Sequence, residues 1–97
     1  MLTLFQNLGY QQITSLSAST ALTVPARTPA GAVTRCRICN IKVESQAVRW
    51  RDDGVAPTAG VGMPLSVGDT LIYDGEIASL RFIEQVAGAK LNVSYYT

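Results

Sequence analysis

The side chains that could support catalysis are few in this chain of 97 residues. It contains no histidine, which is the commonest general base near neutral pH and a frequent metal ligand. No serine lies in a GxSxG motif, and the Gly-Val-Gly of residues 60–62 is too short for a phosphate-binding loop. We therefore expect no enzymatic activity, no catalytic residue and no cofactor.

Two short groups of candidate metal ligands are better explained by structural roles than by metal binding. Cys36 and Cys39 form a CxxC motif, but no second cysteine pair and no histidine completes a zinc site. Alternation along a strand would point the two thiols to opposite faces, so we expect both to be free. Asp52 and Asp53 precede a glycine, which is typical of a turn and lacks the spacing of a calcium loop. We expect no metal site.

Basic residues are the remaining candidates for binding. The net charge is only +1, and charged residues make up 15% of the chain, so composition alone indicates no particular partner. Four arginines fall in one region of the sequence, namely Arg35, Arg37, Arg49 and Arg51. Because no aromatic residues are interleaved with them on the same face, we expect ion pairs or subunit contacts and not nucleic-acid binding. Arg37 is predicted to pair with Asp52 across two strands.

Short alternating segments indicate an all-β fold in a single domain that spans residues 1–97. The predicted strands are residues 21–24, 32–43, 46–51, 70–73, 79–86 and 90–97. Turns rich in glycine, proline and aspartate separate them, and no segment has helical periodicity. About six to eight short strands with this spacing predict a small antiparallel β-sandwich, with a small β-barrel as the alternative.

A hairpin centred on residues 44–45 is the most specific structural prediction. It sets Ile41 opposite Val48 and Cys39 opposite Trp50, with all four side chains on a buried face. The polar side chains of both strands then share the other face, and a slip of one residue would bury arginines. The following loop, residues 55–66, is predicted to be irregular because of its glycines and prolines.

The first fourteen residues allow two interpretations. Leu2, Leu4 and Phe5 place large apolar side chains close to the start of the sequence, where they require cover. Residues 1–14 are either an extended arm that docks on a neighbouring subunit or a first edge strand of the domain. The segment does not resemble a signal peptide, and no apolar run is long enough to span a bilayer, so we expect synthesis in the cytoplasm and no membrane association.

One stretch resembles a known group of proteins. Residues 48–66, VRWRDDGVAPTAGVGMPLS, together with Gly68-Asp69, residues 79–83 and residues 91–96, are similar to a pattern found in small virion-associated proteins of tailed bacteriophages. The similarity covers about the second half of the chain. It implies a virion protein, either a capsid cement or decoration subunit or a tail, neck or fibre-base adaptor. It brings no catalytic residues with it.

The expected partners follow from this resemblance. They are the major capsid protein or other virion proteins, together with further copies of the same chain in a homo-oligomer. A cement subunit would stabilise the shell by bridging neighbouring capsid proteins. The residues we expect to contact these partners are Leu2, Leu4, Phe5, Arg35, Arg37, Arg49 and Arg51.

Overall fold

A computed structural model describes residues 6–24 and 36–97 of the protein. The strands within these ranges are β1 (Asn7–Ile13), β2 (Thr20–Ala21), β3 (Ile38–Glu44), β4 (Val48–Arg51), β5 (Met63–Leu65), β6 (Thr70–Tyr73), β7 (Arg81–Glu84) and β8 (Lys90–Tyr96), and a 3-10 turn spans Ile77–Ser79. They form two four-stranded antiparallel sheets, ordered β1-β8-β3-β6 and β2-β7-β4-β5. The predicted β-sandwich is therefore confirmed, and the barrel alternative is not adopted.

Strands that follow one another in the chain mostly belong to opposite sheets. Among the described strands, only β4 and β5 are neighbours both in sequence and in a sheet. The other connections carry the chain across the sandwich, so most strand pairing joins distant parts of the sequence. The described part of the chain contains no helix long and apolar enough to cross a membrane.

Alternating apolar side chains from both sheets build the core. The fully buried residues include Cys39, Ile41 and Val43 of β3, Leu91, Val93 and Tyr95 of β8, and Val48 and Phe82 from the facing sheet. The faces predicted for these strands are therefore correct. Burial raises the pKa of Tyr95, whose hydroxyl donates a 2.7 Å hydrogen bond to Oε1 of Gln11 on β1. The hydroxyl thus remains satisfied in the interior.

The hairpin predicted around residues 44–45 is wrong, because β3 and β4 lie in different sheets. Ile41 is opposite Leu71 of β6 and Val93 of β8, not Val48. Trp50 is opposite Met63 of β5 and Phe82 of β7, not Cys39.

The turn after β3 directs the chain away from hairpin pairing. Ser45 has a φ of 76°, in the left-handed region, and the backbone amide of Gln46 donates a 3.0 Å hydrogen bond to the carbonyl of Glu44. This tight turn passes β4 to the opposite sheet. Two strands with inward apolar faces can line the core from the same sheet or from facing sheets, and alternation does not distinguish these arrangements.

The start of the described chain is a strand and not an arm. β1 pairs with β8 along its length, from Asn7 opposite Tyr96 to Ile13 opposite Leu91. The backbones of Gln6 and Thr97 continue this ladder with reciprocal hydrogen bonds of 3.4 and 3.0 Å. The arm interpretation is therefore wrong for residues 7–13, which form an edge strand. Residues 1–5 lie outside the described ranges.

Several strand limits differ from the predictions. Within the predicted loop of residues 55–66, Met63–Leu65 form strand β5 despite Pro64 and the preceding glycines. The predicted strand at residues 21–24 is Thr20–Ala21, and that at residues 79–86 is Arg81–Glu84. The predicted strand at residues 32–43 is observed as Ile38–Glu44, and residues 32–35 are not among those described. Proline can occupy an edge strand such as β5 because no ladder partner needs its missing N–H.

Both cysteines are free, as predicted. Cys39 is fully buried on the inner face of β3, and burial raises the pKa of its thiol to about 12. Cys36 lies just before β3 and is only half-buried, although burial also raises the pKa of its thiol.

The two thiols should therefore differ in reactivity in the folded protein. With its pKa near 12, Cys39 is almost entirely protonated at pH 8, so a thiolate-specific reagent should modify Cys36 first. We expect one thiol to react with Ellman's reagent before unfolding and both to react in denaturant. Immediate reaction of two thiols in the folded protein would contradict the burial of Cys39.

The aromatic residues of the second sheet should contribute unequally to stability. Phe82 is fully buried, whereas Trp50 is half-buried and packs edge-to-face on Tyr73 with ring centroids 6.0 Å apart. Phe82→Ala should lower the free energy of unfolding by about 3–5 kcal/mol, and Trp50→Ala by about 2 kcal/mol. Urea titration measures both changes. A larger loss for Trp50→Ala would contradict this packing.

Candidate interaction surface

Arg49 holds the loop between β4 and β5 in place. Its Nε donates a 3.0 Å hydrogen bond to the carbonyl of Ala59, and its Nη1 donates a 2.9 Å hydrogen bond to the carbonyl of Gly62. At the loop tip, the backbones of Thr58 and Val61 exchange hydrogen bonds of 2.9 and 3.2 Å. The planar guanidinium group thereby ties the returning half of the loop to the outer face of β4.

Gly62 is required where this loop returns to the sheet. Its φ is 143°, a value that side-chain-bearing residues rarely adopt. A Cβ atom at this position would lie 3.1 Å from Cβ of Arg49 and 3.2 Å from both Cβ of Pro57 and the carbonyl oxygen of Trp50. The glycine therefore permits the close approach that the bonds from Arg49 stabilise.

The two adjacent aspartates hold the turn that begins the loop. Asp53 forms a bidentate ion pair with Arg51, and this interaction lowers the pKa of Asp53 and raises that of Arg51. Asp53 also accepts a hydrogen bond from the backbone of Val55 at 3.3 Å. Asp52 accepts a 2.7 Å hydrogen bond from the Tyr73 hydroxyl, whose pKa is raised to about 12 by burial and by this carboxylate. The predicted ion pair between Asp52 and Arg37 is not formed.

The braced loop presents apolar side chains to solvent. Val55, Val61 and Met63 are each more than half exposed. Val61 and Met63 line a hollow of about 340 Å³ together with Arg51 and the two aspartates. We call Val55, Val61, Met63 and Arg51 the loop surface. Exposed apolar groups on a constrained backbone favour association, because little conformational freedom remains to be lost on binding.

Arg81 adds a second arginine beside Arg51 of the loop surface, and no sequence motif marks it as a contact residue. It lies directly opposite Arg51 in the β4–β7 register, and its Nη1 donates hydrogen bonds to the carbonyls of Ala78 and Leu80 at 2.8 and 2.9 Å. The outward direction of its side chain could be predicted from the apolar residues Leu80 and Phe82 on either side, which are buried. Its position beside Arg51 depends on strand pairing that the sequence pattern does not reveal.

The loop surface lies at the same end of the sandwich as the start of the described chain. The hydrogen bond from Tyr73 to Asp52 joins the ends of β6 and β4. In the first sheet, Cys39 is opposite Tyr73, while the preceding Ile38 is opposite Tyr96, which pairs with Asn7. Gln6, where the described chain begins, therefore lies at this end beside Thr97. We call this end the attachment end.

The predicted contact residues are only partly brought together. Arg49 and Arg51 share the outer face of β4, but Arg49 is engaged in holding the loop. Arg37 is exposed at the attachment end, where its backbone amide donates a 2.8 Å hydrogen bond to Tyr96, so it belongs to the other sheet. The remaining predicted residues, Leu2, Leu4, Phe5 and Arg35, lie outside the described ranges.

Comparison with known protein families, with curated proteins and with solved structures found no match to this chain. The class that the structure defines is a small all-β sandwich of two antiparallel four-stranded sheets. At the attachment end, this sandwich carries the loop surface, which is held in place by the hydrogen bonds of Arg49.

Replacing Gly62 should disturb this surface selectively. Gly62→Ala should lower the free energy of unfolding by about 1–3 kcal/mol, because it adds strain at a positive φ and a close contact. Gly60→Ala is the matched control, since nothing lies within 4 Å of its added Cβ and its backbone requires no positive φ. Denaturant titration of both variants measures the difference. Equal effects would show that the close approach at Gly62 is not a constraint.

Proposed function

We propose that the protein is a structural subunit of a bacteriophage virion that acts as a capsid cement or decoration protein. The observation that carries this proposal is the position of the phage-like pattern in the fold. Residues 48–66 form β4, the braced loop and β5. Their polar side chains hold the loop by hydrogen bonds, and Val55, Val61 and Met63 remain exposed. Such an arrangement suits attachment to another protein surface.

Attachment would stabilise a shell by covering surface on neighbouring capsid subunits at once. Burying apolar area contributes roughly 25 cal/mol per Å², so covering the exposed valines and the methionine would favour docking. Arg51 and Arg81 provide polar contacts at the rim, where charge favours orientation and rate of association more than affinity. Because each virion would contain many copies, a modest gain at each contact would add up to a stiffer shell.

The apolar residues near the start of the sequence fit the same mode of attachment. Residues 1–5 precede Gln6, which is held at the attachment end by Thr97. Leu2, Leu4 and Phe5 would then contact the same neighbouring surface as the loop. In this proposal, one end of the sandwich provides the contacts with the shell.

Introducing charge into the loop surface should weaken attachment without affecting the fold. Val61→Asp places a carboxylate in the proposed contact. Docking would bury this carboxylate without an ion-pair partner, so retention on purified particles should fall by about tenfold or more. Val86→Asp is the matched control, because Val86 is 58% exposed, compared with 55% for Val61, and lies at the opposite end of the sandwich. Retention after sedimentation and melting temperature are measured for both variants.

Equal retention of the two variants would contradict the proposed attachment surface. Copy number tests the wider proposal independently, by quantitative mass spectrometry of purified virions. A cement subunit should be present in hundreds of copies, in keeping with the symmetry of a capsid. About a dozen copies or fewer would contradict the cement role and favour a tail or neck adaptor, and absence from particles would contradict a virion role.

A further inference from the structure

The four edge strands of the sandwich differ in their protection against further pairing. An exposed strand edge offers unpaired backbone groups to another chain unless it is short, irregular or covered. Strand β1 is irregular between Asn7 and Gly9, and its Gln11 side chain accepts a hydrogen bond from the Thr23 backbone. Strand β2 has only two residues. Strand β5 has a central proline, Pro64, which has no N–H to donate.

Strand β6 has four residues, more than β2 and β5, and its pairing with β3 is regular. Its sequence, Thr-Leu-Ile-Tyr, contains no charge, proline or glycine and favours extended structure. Backbone hydrogen bonds from Gly68 to Val43 and from Val43 to Asp69 prolong its ladder with β3. No described segment pairs with its outer edge, since β6 is the last strand of its sheet.

An apolar feature accompanies this open edge. Ile72 of β6 is 65% exposed on the outer face of the sheet. Behind it lies a hollow of about 290 Å³, lined by Ile38, Cys39, Asn40, Ile72 and Tyr96. In the strand register, Asn40 is opposite Ile72 of β6, and Ile38 is opposite Tyr96 of β8. An apolar side chain on an added strand could pack directly on Ile72.

We propose that the outer edge of β6 binds an extended segment of a partner protein as an additional antiparallel strand. The partner segment carries an apolar residue that packs on Ile72 and basic residues at its two ends. Asp69 and Asp74 flank β6, so the ends of the edge carry negative charge. On the neighbouring strand, Lys42 of β3 is opposite Thr70, and Arg37 lies just before β3.

This charge pattern distinguishes the partner segment from a second copy of the same strand. If two copies of β6 paired antiparallel over all four residues, Asp69 of one copy would face Asp74 of the other at both ends. Like charges directly opposite each other destabilise a strand pair. A basic-flanked segment would instead be attracted at both ends. Binding at β6 does not depend on the proposed virion role, because β6 and the loop surface belong to different sheets. Any partner with this chemistry could bind there.

Binding can be tested with the intact protein and two designed peptides. The first probe is the capped peptide Lys-Thr-Val-Thr-Val-Lys, whose lysines would lie opposite Asp74 and Asp69 and whose first valine would lie opposite Ile72. The second probe has glutamate in place of both lysines. Titration is followed by amide chemical shifts and hydrogen exchange of the 15N-labelled protein. We expect shifts and slowed exchange concentrated in β6, with the lysine peptide binding about tenfold more tightly because of two favourable ion pairs.

Matched substitutions separate the apolar and the charged contributions. Ile72→Gln should weaken binding of the lysine peptide by about tenfold, since an apolar contact is lost, while Val86→Gln, at a similarly exposed site away from the edge, should not. Asp74→Asn should reduce the preference for the lysine peptide. The proposal is overturned if neither peptide shifts the β6 amides, if both bind equally, or if β6 becomes protected by self-association without peptide.

Discussion

The structure depends on the backbone pairing of β8, the last strand, with β1, the first strand, and with β3 from the middle of the chain. β8 lies between β1 and β3, and its inward residues Leu91, Val93 and Tyr95 are almost completely buried. Because the chain crosses between sheets at nearly every connection, this sheet assembles only when its first and last strands meet. The ladder that ends with Gln6 and Thr97 also positions the attachment end. Local hairpins contribute little in residues 6–24 and 36–97, since β4 and β5 form the only one there.

Side-chain alternation was sufficient to predict the sandwich and its buried faces, but not the strand partners. Ile41 and Val48 both point into the core, as predicted, yet they lie on facing sheets. The apolar period identifies the buried side of a strand and contains no information about which strand lies beside it. The left-handed conformation of Ser45, which turns the chain to the other sheet, is not signalled by a serine at that position. Trp50 is only half-buried, because it lies near the end of β4, at the margin of the core.

The candidate site shows the same division between local and long-range information. The sequence indicated that the Asp-Asp-Gly segment forms a turn, and Asp53 does hold that turn through Arg51 and Val55. It did not indicate that Arg49 would brace the loop, because the carbonyls it binds lie ten and thirteen residues away. The position of Arg81 opposite Arg51 likewise depends on the pairing of β4 with β7, which are distant in the sequence. Local chemistry identified the turn, and only the fold revealed how its residues form a surface.

The central structural claim is that β3 pairs with β8 and that β4 belongs to the facing sheet. Backbone nuclear Overhauser effects between strands in the isotopically labelled protein test it most directly, because they report on which strands are adjacent. The account predicts backbone contacts between Ile41 and Val93, and between Val48 and Leu65. It predicts none between the backbones of Ile41 and Val48. A continuous series of backbone contacts joining residues 39–43 to residues 46–50 would contradict the sandwich topology and restore the hairpin.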